Sequence, residues 1–169
     1  MKKTPAKPIP PNKPGLLDVL APYAESDVLC YRADTSPDLA ARQAEVWEPI
    51  LAWVRTRFDV TILTTAGIIY VAQPSATIER LRAALATYSA AQLVGMHTLI
   101  TIGGSLITAL MVAEGAIAPD AAFDATHLDE LWQVRLWGED WLATEAREKR
   151  KGDYVAAAES ARASPSTSA

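Results

Sequence analysis

The sequence predicts a mainly α-helical protein: a compact helical domain around a buried apolar central helix, with a small extended or β-hairpin insertion. Three observations predict this fold class. Apolar residues recur at helical spacing in several segments that open with a proline or a capping residue. Residues 93–113 carry no ionised side chain and offer the amphipathic segments a common apolar partner. Residues 59–73 form one β-branched, extended stretch between the helical segments.

The composition narrows the functional class. The chain has 169 residues, enough for one domain with its own core, and half of them are apolar. Its net charge of −4, with acids and bases interleaved, provides no basic surface for nucleic acid. The single cysteine, Cys30, excludes an intrachain disulfide framework and a cysteine-based zinc cluster. The N-terminus lacks the apolar region of a secretory signal, so we expect a bacterial cytoplasmic protein, or a mitochondrial matrix protein if the source is eukaryotic.

The N-terminal third of the chain begins with an arm and continues with helices. Residues 1–14 contain five prolines, which predicts an extended arm because proline removes backbone donors and clashes with the preceding turn. Residues 15–25 predict a short helix that Pro22 limits. Ser36 and Pro37 then suit the N-cap and first position of a long helix. Pro49 predicts a kink or a break in the middle of that helix.

The middle of the chain combines extended and helical signals. Residues 59–65 and 68–73 are strand-like, and they either pair as a small hairpin or form an ordered connector. Ser75 opens an amphipathic helix, and Ser89 caps the next one, which we predict to run unbroken to Glu114.

The C-terminal part predicts one long helix. Pro119 and Asp120 provide its start, and its pattern continues through the tryptophan-rich segment toward Tyr154. Residues 157–169 are rich in alanine and serine, which predicts a disordered tail.

The apolar segment Leu93–Ala113 is long enough to span a membrane. Its glycines and threonines and His97 dilute its hydropathy, and no aromatic belt or basic cluster flanks it. The sequence therefore favours a buried core helix, whose glycines let neighbouring helices approach closely, and predicts no stable membrane insertion. A membrane-anchored helical protein remains the alternative.

A metal site is a second alternative. Asp120, Asp124 and His127 fall at i, i+4 and i+7, on one face of a helix, as in a small helical metalloenzyme. Helical dinuclear sites need further carboxylates from other helices, and acids are common in first helical turns. The sequence shows no phosphate-binding or dinucleotide loop. We therefore predict no catalytic residue, no metal and no cofactor.

The segment His127–Trp141 holds three of the five tryptophans. In one continuous helix, Trp137 and Trp141 would share a face with Glu130, whereas Trp132 would point elsewhere. Tryptophans beside carboxylates are typical of a protein-interaction surface, since tryptophan anchors carry much of the binding energy at interfaces. A tryptophan-rich core helix with a polar rim is equally compatible with the composition.

Several short blocks in order resemble one protein family. They are Cys30-Tyr-Arg32, Arg42-Gln43 with Trp47-Glu-Pro49, Val71-Ala-Gln-Pro74, Gly104-Ser-Leu106, Leu128-Asp-Glu-Leu-Trp-Gln133 and Trp137-Gly-Glu-Asp140. This ordered set, across about residues 15–155, resembles the chaperones that assemble the catalytic head of mitochondrial and alphaproteobacterial ATP synthases.

The resemblance implies a non-enzymatic binding protein. Its helical domain, residues 15–156 here, would bind the unassembled alpha subunit until the beta subunit displaces it, and the free chaperone would be a monomer. The resemblance also implies that most of a strand-rich N-terminal domain is missing. It places the partner contacts in the segment from Glu130 to Asp140, with Trp132 and Trp137 as anchors, and Glu130, Glu139 and Asp140 meeting donors on the partner. The full set of predicted contact residues is Glu130, Trp132, Gln133, Trp137, Gly138, Glu139 and Asp140.

Overall fold

The computed structural model describes residues 12–162 and confirms a mainly helical fold. The predicted arm falls largely outside the described residues, as does the end of the predicted tail. The elements, in chain order, are α1 (Lys13–Leu20), two 3₁₀ turns (Ala21–Ala24 and Val28–Cys30), β1 (Tyr31–Arg32), α2 (Pro37–Phe58), β2 (Thr65–Ala66), α3 (Ser75–Ala86), α4 (Ala90–Gly103), α5 (Leu106–Ala113), α6 (Pro119–Thr126), α7 (Leu128–Trp137) and α8 (Trp141–Arg162).

The centre of the fold is the predicted apolar segment, but it forms two helices instead of one. α4 packs along α8, and α5 contacts α2, α6 and α8, so most of α5 and one face of α4 are buried. The chain turns at Gly104, whose φ of +67° lies in the left-handed region that favours glycine. The Ser105 hydroxyl then caps α5 by accepting a hydrogen bond from the Thr108 N–H at 3.0 Å. The prediction of an unbroken helix from Ser89 to Glu114 was wrong because these local signals end one helix and begin another.

A buried carboxylate fixes the junction between α4 and α5. Asp27 accepts hydrogen bonds from the Leu29 N–H (3.1 Å), the Ser105 hydroxyl (3.0 Å) and the Ile107 N–H (3.0 Å). Desolvation raises the pKa of Asp27 to about 6, although the hydrogen bonds from Ile107, Leu29 and Ser105 act in the opposite direction. One side chain thus satisfies backbone donors at the starts of a 3₁₀ turn and of α5.

Close packing of α4 against α8 depends on a glycine, as the sequence predicted. A Cβ atom added to Gly95 would lie 2.8 Å from the Ala161 amide nitrogen and 2.9 Å from the Ser160 Cβ. These distances are far below the ordinary separation of non-bonded atoms, so only glycine fits there without moving α8.

The predicted hairpin within residues 59–73 is not formed. Instead, β1 and β2 pair in parallel, with Tyr31 opposite Thr65 and Arg32 opposite Ala66. The Gln73 side chain forms hydrogen bonds with the backbone of the extended stretch. Its amide oxygen accepts from the Leu63 N–H (2.9 Å), and its amide nitrogen donates to the Leu63 carbonyl (2.8 Å). These side-chain hydrogen bonds take the place of the strand-to-strand hydrogen bonds of a hairpin. The stretch is therefore an ordered connector, the second of the two predicted alternatives.

Several further helix predictions need correction. α2 continues through Pro49 without the predicted break, so the alternative of a kink stays a prediction, and its Ser36 N-cap makes no side-chain capping bond. The C-terminal part is three helices, α6, α7 and α8, not one. α8 runs to Arg162, so residues 157–162, predicted to be a disordered tail, are helical.

Between residues 12 and 162, none of the helices combines the length and the apolar character that crossing a membrane requires. The apolar segment is divided into α4, of 14 residues, and α5, of 8 residues.

Candidate protein-interaction surface

The predicted contact segment includes α7 and the turn that leads into α8. α7 ends because Gly138 adopts a φ of +87°, while its N–H still donates to the Val134 carbonyl at 2.8 Å. An added Cβ at Gly138 would meet no atom within 4 Å, so glycine is favoured there by backbone conformation and not by lack of space. The prediction of one continuous helix through Gly138 was wrong: this glycine turns the chain between two helices.

Asp140 begins α8. Its carboxylate accepts a hydrogen bond from the Leu142 N–H at 2.9 Å, with a longer one from Ala143 at 3.5 Å, and its carbonyl accepts from the Thr144 N–H. These are the bonds of an N-cap, where a negative charge also favours the positive end of the helix. Asp140 therefore already has backbone donors within the chain.

The two predicted glutamates converge on a buried arginine of α8. The Arg147 side chain is only 6% exposed and lies 3.6 Å from a Glu130 carboxylate oxygen and 3.5 Å from one of Glu139. Glu130 also pairs with Arg150 at 2.7 Å, and Glu139 accepts a hydrogen bond from the Thr144 hydroxyl. Within the described residues, the Arg147 Nη1 atom is buried without a hydrogen-bond acceptor. The glutamates thus hold the turn between α7 and α8 against the body of α8.

These contacts give Glu130 and Glu139 a structural role within the chain. Glu130 and Glu139 keep about 35% and 58% of their side chains exposed, but both are engaged in ion pairs within the chain. Their contact with donors on a partner stays a prediction. Their structural contribution is to fix the position of the residues beside them.

Four exposed hydrophobic side chains lie beside these acids in the chain, on either side of Gly138, and we name them the apolar corner. Its members are Leu136 (56% exposed), Trp137 (82%), Trp141 (73%) and Leu142 (66%). Large exposed apolar surfaces often mark the places where a protein binds another molecule. The sequence identified Trp137, but it placed Trp137 and Trp141 on one helix face, whereas they flank the turn between two helices. Leu136 and Leu142 were not among the predicted candidates; reading Gly138-Glu-Asp140 as a C-terminal glycine followed by an N-cap would have indicated that they flank a turn.

Trp132 belongs to a different surface. It is half-buried, with the Arg135 guanidinium 5.2 Å above its ring, and it lines a groove of about 460 Å³ between α2, α6 and α7. The two predicted anchors, Trp132 and Trp137, therefore face different regions. Gln133 is exposed on α7.

The alternative metal site is not assembled. The His127 Nδ1 atom lies 2.9 Å from the Phe123 carbonyl and 3.0 Å from the Thr126 hydroxyl, and its ring stacks on Phe123. Asp124 pairs with Lys151 at 3.0 Å. Throughout residues 12–162, no three His, Cys, Asp or Glu side chains are placed to hold a metal ion. The i, i+4, i+7 argument fails for His127 because α6 ends at Thr126, before that residue.

Comparisons with known proteins agree with the sequence resemblance. The model of the ATP12 chaperone protein family matches residues 5–55. The crystal structure of Atp12 from Paracoccus denitrificans is 32% identical in sequence and superposes with a TM-score of 0.82, over 85% of this chain and 62% of that one. A point mutant of the same Paracoccus protein gives a TM-score of 0.84 at 30% identity, over 88% of this chain and 63% of that one. The crystal structure of the Atu1473 protein of Agrobacterium tumefaciens gives a TM-score of 0.82 at 31% identity, over 88% of this chain and 56% of that one.

The chain therefore spans about three fifths of the length of these solved relatives. The family match includes the first of the ordered sequence blocks, up to Trp47-Glu-Pro49, and the structural matches cover most of the chain. Together these similarities support the assignment of this chain to the ATP12 chaperone family.

Proposed function

We propose that this protein is an assembly chaperone for the catalytic head of ATP synthase. It binds the unassembled alpha subunit, prevents that subunit from aggregating, and yields it when the beta subunit competes for the same surface. The family relationship supports a chaperone role. The single structural observation that carries the proposal is the apolar corner, where four large side chains are more than half exposed.

The corner suits reversible binding of an apolar protein surface. Two tryptophans at an interface together bury roughly 300–500 Å². At about 25 cal/mol per Å², that area offsets part of the entropy lost on association without making the complex irreversible. The internal ion pairs of Arg147 and the Asp140 cap hold the turn in place, which reduces the ordering cost on binding.

The contact surface extends from the corner along the segment that the sequence singled out. Trp137 is its anchor, Gln133 and Gly138 lie exposed beside it, and Glu130, Glu139 and Asp140 position it. The mechanism needs no catalytic residue, metal, cofactor or nucleotide, because competition by the beta subunit is sufficient to release the alpha subunit. The proposal places the free chaperone, as a monomer, where unassembled alpha subunits occur: the bacterial cytoplasm or the mitochondrial matrix.

Co-expression with an alpha subunit tests the proposal. A Trp137→Ala, Trp141→Ala variant removes both corner tryptophans, and both positions are exposed enough for folding to tolerate the change. An Ile69→Ala, Tyr70→Ala variant is the matched control, because it removes two side chains that are 71% and 61% exposed elsewhere on the chain.

Wild type and the control should co-purify with the alpha subunit and keep it in solution, and the corner variant should do neither. Equal capture by the corner variant would exclude the corner as the contact. Failure of the folded wild type to capture any alpha subunit would contradict the proposed function itself.

A further inference from the structure

We propose that the groove between α2, α6 and α7 is a second binding site, separate from the apolar corner, which takes a segment of the bound subunit with a carboxylate next to an apolar side chain. The inference rests on the proposed function, since the segment belongs to the protein that the chaperone holds. Three features of the groove carry it: its lining, its charge and its rigidity.

The lining of the groove is apolar on the floor and aromatic on one side. Ala125 and Leu128 are buried at the floor, Val46 and Leu131 are half-buried, and Trp132 lines the α7 side. A volume of about 460 Å³ is within the range of preformed ligand pockets, roughly 300–1,000 Å³. Such a groove has room for an apolar side chain of a partner segment.

The charge of the groove favours an acidic ligand. Arg42 and Arg135 both line it, and Arg42 pairs with Glu45 at 3.0 Å. The Asp124 carboxylate, also at the groove, is neutralised by Lys151. Among residues 12–162, by contrast, no carboxylate lies within 4 Å of the Arg135 guanidinium, which stacks on Trp132 instead. Arg135 therefore leaves one positive charge uncompensated beside an apolar floor, and a guanidinium binds carboxylates by charge-assisted hydrogen bonds.

The walls of the groove are fixed by two long-range hydrogen bonds. The indole N–H of the buried Trp47 on α2 donates to the Ala125 carbonyl of α6 at 2.7 Å. The buried Gln43 of α2 donates to the Asp129 carboxylate of α7 at 2.8 Å and accepts from the Ala33 N–H. Because α6 and α7 are both tied to α2, the groove is held open in the free protein, which lowers the cost of binding.

The test measures binding of overlapping synthetic peptides of the alpha subunit to the full chain. Arg135→Gln removes the uncompensated charge, and Arg135→Lys keeps the charge without the planar fork. Arg57→Gln is the matched control: Arg57 is exposed and stacks on Phe58, but it pairs with Glu114 on another face of the protein. Each variant is also assayed for capture of the intact alpha subunit.

We expect wild type to select peptides with an Asp or Glu beside an apolar residue. Arg135→Gln should lower the affinity for those peptides by about tenfold or more, as the loss of a charge-assisted hydrogen bond predicts, whereas Arg57→Gln should leave that affinity unchanged. Arg135→Lys should bind them with intermediate affinity.

Selection of basic or purely apolar peptides, self-association of the chain through the groove, or equal binding by Arg135→Gln would each overturn the inference. The two proposals fail in different ways. If wild type captures the intact alpha subunit and Arg135→Gln changes neither assay, only the groove proposal is lost. If wild type captures no alpha subunit at all, the proposed function is lost.

Discussion

The contact between α4 and α8 makes Gly95 the position where one added methyl group should be most damaging. A Cβ there would lie 2.8 Å from the Ala161 nitrogen, 2.9 Å from the Ser160 Cβ and 3.0 Å from the Ala157 carbonyl oxygen. Two of these atoms are backbone, so rotamer changes cannot relieve the clash and α8 must move. Overpacking of this kind costs about 1–3 kcal/mol and sometimes more, whereas Gly→Ala inside a helix gains only about 0.5–1 kcal/mol. We expect Gly95→Ala to lower the free energy of unfolding by about 1–3 kcal/mol.

Gly152, in the middle of α8, is the matched control. An added Cβ at Gly152 would meet no atom within 4 Å, so Gly152→Ala should raise the free energy of unfolding by about 0.5–1 kcal/mol through helix propensity alone. Urea denaturation followed by far-UV circular dichroism measures both variants. The close-packing argument would be refuted if Gly95→Ala were as stable as wild type, or if both variants changed stability in the same direction.

Three further outcomes follow from buried polar groups. Burial raises the pKa of Asp27 from 3.8 to about 6, so folding favours its protonated form. As the pH falls from 7 to 5, the free energy of unfolding of wild type should therefore rise by about 1 kcal/mol relative to that of Asp27→Asn. A relative rise with increasing pH would contradict this. Trp47→Phe removes the donor to the Ala125 carbonyl and leaves a void, so urea titration should show a loss of about 2–4 kcal/mol, and a loss below about 0.5 kcal/mol would mean that the bond is unimportant. Burial raises the pKa of the Cys30 thiol to about 12, so a thiol reagent at pH 8 should modify it only in denaturant, and rapid labelling of the native protein would show that the site is open.

The parts of the fold that were predicted correctly depend on local signals or on simple burial. Ser89 and Gln92 form the reciprocal capping box at the start of α4, and Gly95 provides the close approach that an apolar helix with glycines indicates. The helix breaks that the sequence analysis missed have a common cause. The breaks at Gly104 and Gly138 depend on left-handed or extended glycine conformations followed by a capping side chain, and a helical apolar pattern continues across both. The parallel pairing of β1 and β2 joins residues far apart in the chain, which no local pattern specifies.

The sequence singled out part of the candidate surface but not the contacts that hold it in place. The sequence located the tryptophan-rich segment, and Trp137 is highly exposed. It could not show that Glu130 and Glu139 converge on Arg147, because that arginine lies in the next helix and its burial depends on tertiary packing. The apolar corner likewise exists only once α7 and α8 separate at Gly138, and the groove only once α6 and α7 separate at His127.

The central claim is that this chain binds a surface of the alpha subunit for which the beta subunit can compete. Light scattering coupled to size-exclusion chromatography measures it directly, first on the purified chain with an alpha subunit and then after addition of a beta subunit. The account predicts a complex of one chain with one alpha subunit, which the beta subunit converts into an alpha–beta assembly and free monomeric chain. A folded chain that forms no complex with the alpha subunit, or a complex from which the beta subunit releases nothing, would contradict it.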